Sequence, residues 1–194
     1  MWLSRVRVGR REALQAGLKD AYGWHQGLWG GFPGQDGCER QFLFRVDSRA
    51  KAFHVYVLSS EKPTPPGWGI WQSKEIAPSF LEYSLYRFQL KANPTLRQAD
   101  TRKRVGLCDE RKLRSWMLRK AGRHGFAVEE KSLVVSPAIQ ETFVKKGRRG
   151  KHMAVDFQGV LDVQDPQAFR DAFSHGIGSA KSFGFGLLML QPLK

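Results

Sequence analysis

A histidine and a tyrosine lie three residues apart in the segment Tyr22-Gly-Trp-His25-Gln. If this segment is helical, Tyr22 and His25 lie on one side of the helix, because residues three and four apart are neighbours. An unperturbed imidazole titrates near neutral pH, so His25 is a candidate general acid or base. Tyr22 could then orient a substrate. The same spacing also fits a surface histidine beside a partly buried tyrosine, and spacing alone favours that simpler interpretation.

A second segment that could bind a ligand is Gly176-Ile-Gly-Ser-Ala-Lys-Ser-Phe-Gly-Phe-Gly186. Glycines permit close backbone approach, and exposed N–H groups can bind phosphate oxygens. The candidate phosphate contacts are Gly178, Ser179, Lys181 and Ser182. A dinucleotide fingerprint would stand between a strand and a helix, and a Walker loop would need glycine where Ala180 stands. A glycine-rich turn used for tight packing explains the segment equally well.

Positive charge is the third signal in the sequence. The chain has 32 Lys and Arg against 18 Asp and Glu, a formal net charge of +14. Three clusters contribute to it: Arg102, Lys103 and Arg104; the helical stripe Lys112, Arg119 and Arg123; and the run Lys145, Lys146, Arg148, Arg149 and Lys151. A single cluster is usually a solvated face. Three clusters on so basic a chain favour a polyanionic partner, with nucleic acid ahead of an anionic membrane.

Other chemistries find little support in the sequence. The sequence has no HxH, HExxH or clustered carboxylate pattern, so we expect no metal site and no cofactor. Cys38 and Cys108 are far apart and form no CxxC pair, which suits a reducing cytoplasm. No run of about 18 apolar residues could span a bilayer, and the first residues lack the apolar core of a signal peptide. We therefore expect a cytoplasmic protein, with His175 as a reserve catalytic candidate behind His25.

The candidate residues must be positioned by strands and helices that hydrophobic periodicity predicts. Alternation predicts strands over 2–8, 42–46, 53–58 and 83–90. Helical patterns cover 21–29, 109–123 and 165–175. The cationic run 145–151 is predicted to form the tip of a strand hairpin, where long side chains could reach RNA phosphates.

The order of these elements predicts an α+β fold of two tandem βαββαβ units, the ferredoxin-like or RRM-like plan. Ala92-Asn-Pro94 ends the fourth predicted strand, so the predicted domains are residues 1–92 and 93–194. The first would carry the candidate catalytic helix, and the second would carry the basic hairpin and the glycine-rich segment. The duplication rests on element order, because the sequence shows no residue-level repeat.

Seven short motifs resemble those of the CasE-type CRISPR RNA-processing endoribonucleases of the RAMP superfamily. They occur in family order along nearly the whole chain. The motifs are MWLS at the start, Tyr22-xx-His25-Gln-Gly-Leu-Trp29, Phe42-Leu-Phe-Arg-Val-Asp47, Lys91-Ala-Asn-Pro94, Lys103-Arg-Val-Gly-Leu107, Gly176-Ile-Gly-Ser-Ala-Lys181 and Gly184-Phe-Gly-Leu-Leu188. Gly30 and Gly31 follow Trp29, where some relatives have a basic residue, so the motifs identify no second cationic catalytic group.

The resemblance implies two ferredoxin-like domains and cleavage within the repeat stem-loop of precursor CRISPR RNA. It implies that His25 is the catalytic histidine, that Tyr22 is its partner, and that the product is retained in a Cascade-like complex with other subunits. The expected reaction is metal-independent transesterification by the ribose 2′-OH, which leaves a 2′,3′-cyclic phosphate and a 5′-OH. Without its partners the protein is expected to be a monomer.

Three other functions remain open on the sequence. The first is a non-catalytic subunit that binds an RNA hairpin in a CRISPR ribonucleoprotein, against which only His25 and Tyr22 argue. The second is a DNA-binding protein. The third, a peripheral membrane protein, ranks last because no basic amphipathic helix with a continuous aromatic face is evident.

Overall fold

The chain divides into two compact units. A computed structural model describes residues 1–34, 41–100, 102–145 and 147–193. The first unit comprises Met1–Ala77, Thr142–Gly150 and Ser182–Gly184. The second unit comprises Pro78–Glu141, Lys151–Lys181 and Phe185–Lys194. The chain therefore returns twice, late in the sequence, to complete the unit in which it began.

The first unit contains a four-stranded antiparallel sheet. Its elements are β1 (Trp2–Gly9), α1 (Arg10–Gln15), α2 (Ala21–Trp29), β2 (Phe42–Ser48), β3 (Ala52–Ser59) and β4 (Ile70–Glu75). The strand order is β2-β3-β1-β4, which is the ferredoxin-like order. An irregular segment, residues 60–69, joins β3 to β4.

Helix α2 packs on this sheet through one apolar side. Asp20 caps the helix, because its side chain accepts a hydrogen bond from the Gly23 N–H. Trp24 and Leu28 are buried in a core to which β1, β2 and β3 also contribute. Trp24 meets Phe53 and Trp68 edge-on, with ring centroids 5.2 and 6.1 Å apart respectively.

Two glycines allow α2 to approach the segment that precedes it. A Cβ at Gly23 would lie 2.6 Å from the Gly17 carbonyl oxygen. One at Gly27 would overlap the Leu18 side chain. Glycine is a poor helix former, so its presence twice in this helix indicates a packing requirement.

The second unit contains the two longer helices and the remaining strands, except for the hairpin tip Thr142–Gly150, which belongs to the first unit. They are β5 (Leu85–Ala92), β6 (Thr95–Arg97), β7 (Arg104–Gly106), α3 (Glu110–Arg123), β8 (Phe126–Val128), β9 (Val134–Val135), β10 (Ile139–Lys145), β11 (Arg148–Val163), α4 (Pro166–His175) and β12 (Leu188–Pro192). The main sheet has the order β10-β11-β5-β12, with β8 and β9 also paired to β11, whereas β6 and β7 form a separate ribbon. The order repeats the ferredoxin-like plan of the first unit.

The core of the second unit lies between its main sheet and its two helices. Tyr86, Phe88 and Leu90 project from β5 and pack with buried residues of both helices. The buried helix residues are Leu113, Trp116, Met117 and Ala121 of α3 and Phe169 and Ala172 of α4. In the described part of the chain, no helix is long and apolar enough to cross a membrane.

The structure confirms the predicted α+β class, the three predicted helices and the basic hairpin, whose two strands are β10 and β11. The short helix α1 and the strand β4 were not predicted. Strand β4 is mostly exposed and carries little alternation of apolar residues, so its pattern is weak.

The predicted fourth strand of the first domain is β5, and the structure places it in the second unit. It pairs there with both β11 and β12, and β4 occupies the fourth position in the first sheet. The units therefore separate after Ala77 rather than after residue 92. Alternation predicts a strand with one buried face, but it does not identify the sheet that the strand joins.

We predict that Gly23→Ala destabilises the protein. Alanine would favour the helix by about 1 kcal/mol, but its Cβ would meet a backbone oxygen that cannot rotate away. Overpacking of this kind costs about 1–3 kcal/mol. Urea unfolding should therefore show a net loss of stability.

The matched control is Gly122→Ala in α3, where a Cβ would have no heavy atom within 4 Å. This change should stabilise the protein by about 0.5–1 kcal/mol. Equal effects of the two substitutions would contradict the packing role of Gly23.

Candidate active site

His25 lies on α2 above an aromatic surface formed by β2. Its ring is nearly parallel to that of Phe44, with centroids 6.4 Å apart, and is tilted against Phe42 at 6.1 Å. The Trp29 indole N–H donates to His25 Nε2 at 3.2 Å. Since an indole nitrogen is only a donor, neutral His25 carries its proton on Nδ1. Aromatic packing and the hydrogen bond from Trp29 thus orient a half-buried imidazole, as proton transfer requires.

Tyr22 lies one turn before His25 on the same helix, as predicted. The structure adds a cation that the sequence did not identify in this role: the Lys145 ammonium nitrogen is 5.9 Å from the centroid of the Tyr22 ring. Lys145 ends strand β10, and the hairpin tip that includes it belongs to the first unit. The phenol, the imidazole and the ammonium group therefore belong to one neighbourhood, although 120 residues separate His25 from Lys145 in sequence.

The carboxylate of Asp20 joins α2 to this hairpin. One oxygen, Oδ1, accepts from the Gly23 N–H at 2.8 Å. The other, Oδ2, accepts from the Val144 N–H at 2.9 Å. Asp20 therefore binds the first turn of α2 and the residue immediately before Lys145.

The turn Ser182–Gly184 completes this neighbourhood from the end of the glycine-rich segment. Gly184 has a φ of 85°, and a Cβ there would lie 3.1 Å from the Phe44 ring. The Phe183 ring packs on Phe143 of the hairpin, with centroids 4.2 Å apart. The predicted RNA contact Ser182 belongs to this turn, so late segments of the chain contact both the aromatic surface and the hairpin.

The hairpin tip is strongly cationic. Lys145, Arg148 and Arg149 line a recess of about 470 Å³ together with Phe143 and Gly150. The Phe143 ring lies against Gly150, where any side chain would overlap it. Lys146, also predicted to bind RNA, lies outside the described residues. Lys151 lies beyond the tip, in the second unit.

A cleft of about 680 Å³ in the second unit gathers other predicted residues. Its lining includes Arg104, Lys151, His152, Ser179 and Ala180. Asn93, which is 7% exposed, organises one wall. Its carbonyl accepts from the Ser179 hydroxyl, and its side-chain oxygen accepts from the Met153 N–H. Asn93 was not predicted as a site residue, although it stands in one of the family motifs.

The glycine-rich segment passes over α3. Gly178 has a φ of 90°, and a Cβ there would contact the Trp116 ring at 3.5 Å. The Lys120 ammonium nitrogen is 5.8 Å from the centroid of the same ring. Ala180 also has a positive φ, 60°, which is uncommon for a residue with a side chain.

Positive charges concentrate near the end of α3. Burial lowers the pKa of Lys120 below its ordinary value of 10.5. Neighbouring guanidinium groups lower it further: those of Arg123, Arg119 and Arg104. Burial also lowers the pKa of His124, with further lowering by Lys120, Lys181 and Arg123. Four predicted RNA-binding residues are therefore electrostatic neighbours, and Lys120 joins them as a residue that sequence reasoning missed.

Three other predicted cations lie at the start of α3 and in the loop that precedes β7. Lys112 is in the first turn of α3, roughly 16 Å along the helix from Arg123. Arg102 and Lys103 are exposed in the loop between β6 and β7. His175 ends α4, and its Nδ1 lies 3.0 Å from the Asp171 carbonyl oxygen; it belongs to the second unit, whereas Tyr22 and His25 belong to the first.

Comparison with known proteins assigns the family. Residues 1–192 match the model of a family described as CRISPR associated protein. The chain belongs to this family. The resemblance seen in the sequence motifs is thereby confirmed.

Several related proteins match the chain over its full length or nearly so. The CRISPR system Cascade subunit CasE of Escherichia coli is 32% identical, with all of both chains covered. The CRISPR-associated endoribonuclease Cse3 of Thermus thermophilus is 28% identical over 99% of this chain and all of that protein. A solved structure of CRISPR endoribonuclease Cse3 bound to 19 nt RNA superposes with a TM-score of 0.87 at 26% identity, covering 99% of this chain and 100% of the other.

We predict that acid destabilises the protein through the second unit. Burial lowers the pKa values of His124 and His152 below 6.5 in the folded protein. The unfolded chain therefore binds more protons as pH falls through 6.5, and the free energy of unfolding decreases.

Urea unfolding between about pH 7.5 and about pH 5.5 measures this effect. The variant His124→Gln should lose less stability than the wild-type protein over that interval. Parallel pH profiles for the two proteins would contradict the assigned cause.

Proposed function

We propose that this protein is a CRISPR repeat RNA endoribonuclease that cuts precursor CRISPR RNA and retains the product. The observation that carries the proposal is that Lys145 lies beside Tyr22. Tyr22 in turn lies one helical turn before His25 on α2. This arrangement supplies a proton-transfer group, an orienting phenol and a cation in a chain whose relatives include a CRISPR endoribonuclease with a solved RNA complex.

In the proposed reaction the ribose 2′-oxygen attacks the adjacent phosphorus, and the bond from phosphorus to the 5′-oxygen breaks. The 2′-OH loses its proton, and the departing 5′-oxygen gains one. The products are a 2′,3′-cyclic phosphate and a 5′-OH. Because the nucleophile belongs to the RNA, the protein needs to supply only alignment, proton transfer and charge stabilisation.

Particular side chains suit each of these tasks. His25 serves as the general acid or the general base, with its orientation held by Trp29 and the β2 aromatic rings. Tyr22 orients the ribose or the scissile phosphate. The Lys145 ammonium group offsets the negative charge that develops on the phosphorane. None of these tasks calls for a metal ion.

The cationic segments hold the RNA stem-loop in this proposal. The hairpin tip offers Lys145, Arg148 and Arg149, and Lys146 and Lys151 of the same cationic run are included in the proposal. The second unit adds Arg102, Lys103, Arg104, Lys112, Arg119, Lys120 and Arg123, together with Gly178, Ser179 and Lys181 of the glycine-rich segment, and Ser182 extends that segment into the first unit. The mutual repulsion around Lys120 supports this role, because bound phosphates would relieve it.

We further propose that the protein, a monomer without its partners, keeps the cut RNA as a subunit of a Cascade-like complex. This follows the relation to a Cascade subunit over the full chain. A cytoplasmic location agrees with an RNA transcript as substrate and with the exposed, unbridged thiol of Cys108.

We predict that His25→Ala lowers the single-turnover cleavage rate by about 10²–10⁴-fold, because proton transfer is lost. Affinity for the repeat hairpin should change little, since the cations that hold the RNA are retained. Purified protein is incubated with its host's repeat RNA in excess EDTA, and product ends are identified by mass. Loss of binding together with cleavage would show that His25 is structural.

Two controls test the reaction type. A 2′-deoxy substitution at the scissile nucleotide should block cutting, and continued cutting would exclude the cyclic-phosphate route. Cleavage should persist in EDTA, so a strict Mg²⁺ requirement would contradict the metal-independent reaction. If the wild-type protein binds repeat RNA tightly but never cuts it, the protein is the non-catalytic RNA-binding subunit instead.

We predict that removing charge from the hairpin weakens RNA binding and flattens its salt dependence. In the variant Arg148→Ala/Arg149→Ala, the magnitude of the slope of log K against log salt should fall by roughly 1–2. With fewer phosphate contacts, RNA binding releases fewer counterions. The matched control, Lys131→Ala/Arg170→Ala, removes two exposed charges outside the proposed interface. Equal slopes for the two variants would show that net charge alone drives binding.

A further inference from the structure

Asp20 carries more hydrogen bonds than helix capping requires. The N-caps of α3 and α4, Asp109 and Asp165, each accept backbone N–H groups with a single carboxylate oxygen. Asp20 caps α2 in the same way with Oδ1 and then accepts the Val144 N–H with Oδ2. The second bond joins residues 124 positions apart and has no part in ending the helix.

The second bond acts on the backbone that carries Lys145. Three successive hairpin residues contact the active-site neighbourhood: Phe143 packs on Phe183, Val144 donates to Asp20, and Lys145 lies beside Tyr22. The Val144 side chain is 48% exposed, so burial does little to fix this point of the strand. The bond to Asp20 therefore ties the backbone next to Lys145 directly to the start of α2.

The charge of Asp20 argues against a direct role in holding RNA. A carboxylate bonded to the residue before Lys145 repels phosphate and weakens the positive field of the hairpin. A neutral cap such as serine or asparagine would serve α2 equally well. Asp20 differs from the caps Asp109 and Asp165 because its two oxygens have donors on two distant segments of the chain.

We infer that Asp20 is a positioning residue for RNA cleavage, whose carboxylate couples the active-site helix to the basic hairpin and thereby sets Lys145 against Tyr22 and His25. The inference rests on the proposed function. It assigns Asp20 no contact with RNA and no proton transfer. It makes the hairpin both a binding element and a structural part of the active site.

The test uses Asp20→Asn, because an amide has one acceptor oxygen where a carboxylate has two. In place of the Asp20 carboxylate, the amide NH2 group would face one of the two N–H donors, so asparagine keeps only one of the two bonds. Asp20→Ser is a second variant that keeps the cap and loses the hairpin bond. Asp165→Asn is the matched control, since one oxygen of Asp165 already serves both of its donors.

Single-turnover cleavage of repeat RNA at saturating protein should be about 10–100-fold slower for Asp20→Asn and Asp20→Ser, because small misplacements of catalytic groups have effects of this size. Affinity for the RNA should be equal or tighter, since a negative charge is removed. Asp165→Asn should match the wild-type protein in both measurements. In a Lys145→Ala background, Asp20→Asn should slow cleavage little further, because coupled residues are not additive.

Each contrary result has a distinct meaning. Wild-type rates for both Asp20 variants would overturn the inference and leave the proposed function standing. Parallel losses of rate and affinity, or full additivity with Lys145→Ala, would make Asp20 a purely structural cap and would also overturn it. Absence of cleavage by the wild-type protein would overturn the proposed function, and this inference with it.

Discussion

Burial of one side of α2 determines where the proposed catalytic side chains, Tyr22 and His25, lie. Trp24 and Leu28 enter the core of the first unit, so the helical repeat directs Tyr22 and His25 elsewhere. Gly23 and Gly27 let the preceding segment approach closely enough for that packing. His25 then comes to lie over Phe42 and Phe44. The orientation of the imidazole is thus a result of hydrophobic packing, and the hydrogen bond from Trp29 adds the choice of tautomer.

Repulsion between like charges, in contrast to the apolar packing of α2, opposes folding. Like charges near the end of α3 repel one another, and together with burial this lowers the pKa values of Lys120 and His124. Such a cluster disfavours the folded protein in isolation. The fold tolerates it because the apolar side of α3 is deeply buried, with Leu113 and Met117 nearly inaccessible to solvent. Stability from the core therefore maintains a surface that suits a polyanion.

Sequence reasoning succeeded where a single local pattern decides the outcome. The bounds of α2 follow from periodicity, and those of α3 and α4 do so to within one residue. It failed where the outcome depends on distant residues. Strand β5 alternates equally well for either sheet, so its partners β11 and β12 could not be known. The contacts of Lys145 with Tyr22 and of Val144 with Asp20 join segments more than 120 residues apart in sequence, and no local signal predicts them.

The route of the chain has a consequence for how the protein is made. The first unit needs Thr142–Gly150 and Ser182–Gly184 in addition to its own first 77 residues. A ribosome synthesises the chain from its N-terminus, so the sheet of the first unit and α2 can assemble early. The hairpin that brings Lys145, and the turn that supports Phe44, emerge only near the end of translation. A nascent or truncated chain would therefore carry His25 and Tyr22 in an incomplete setting, and nuclease activity would arise only once the residues that retain the product have also been synthesised.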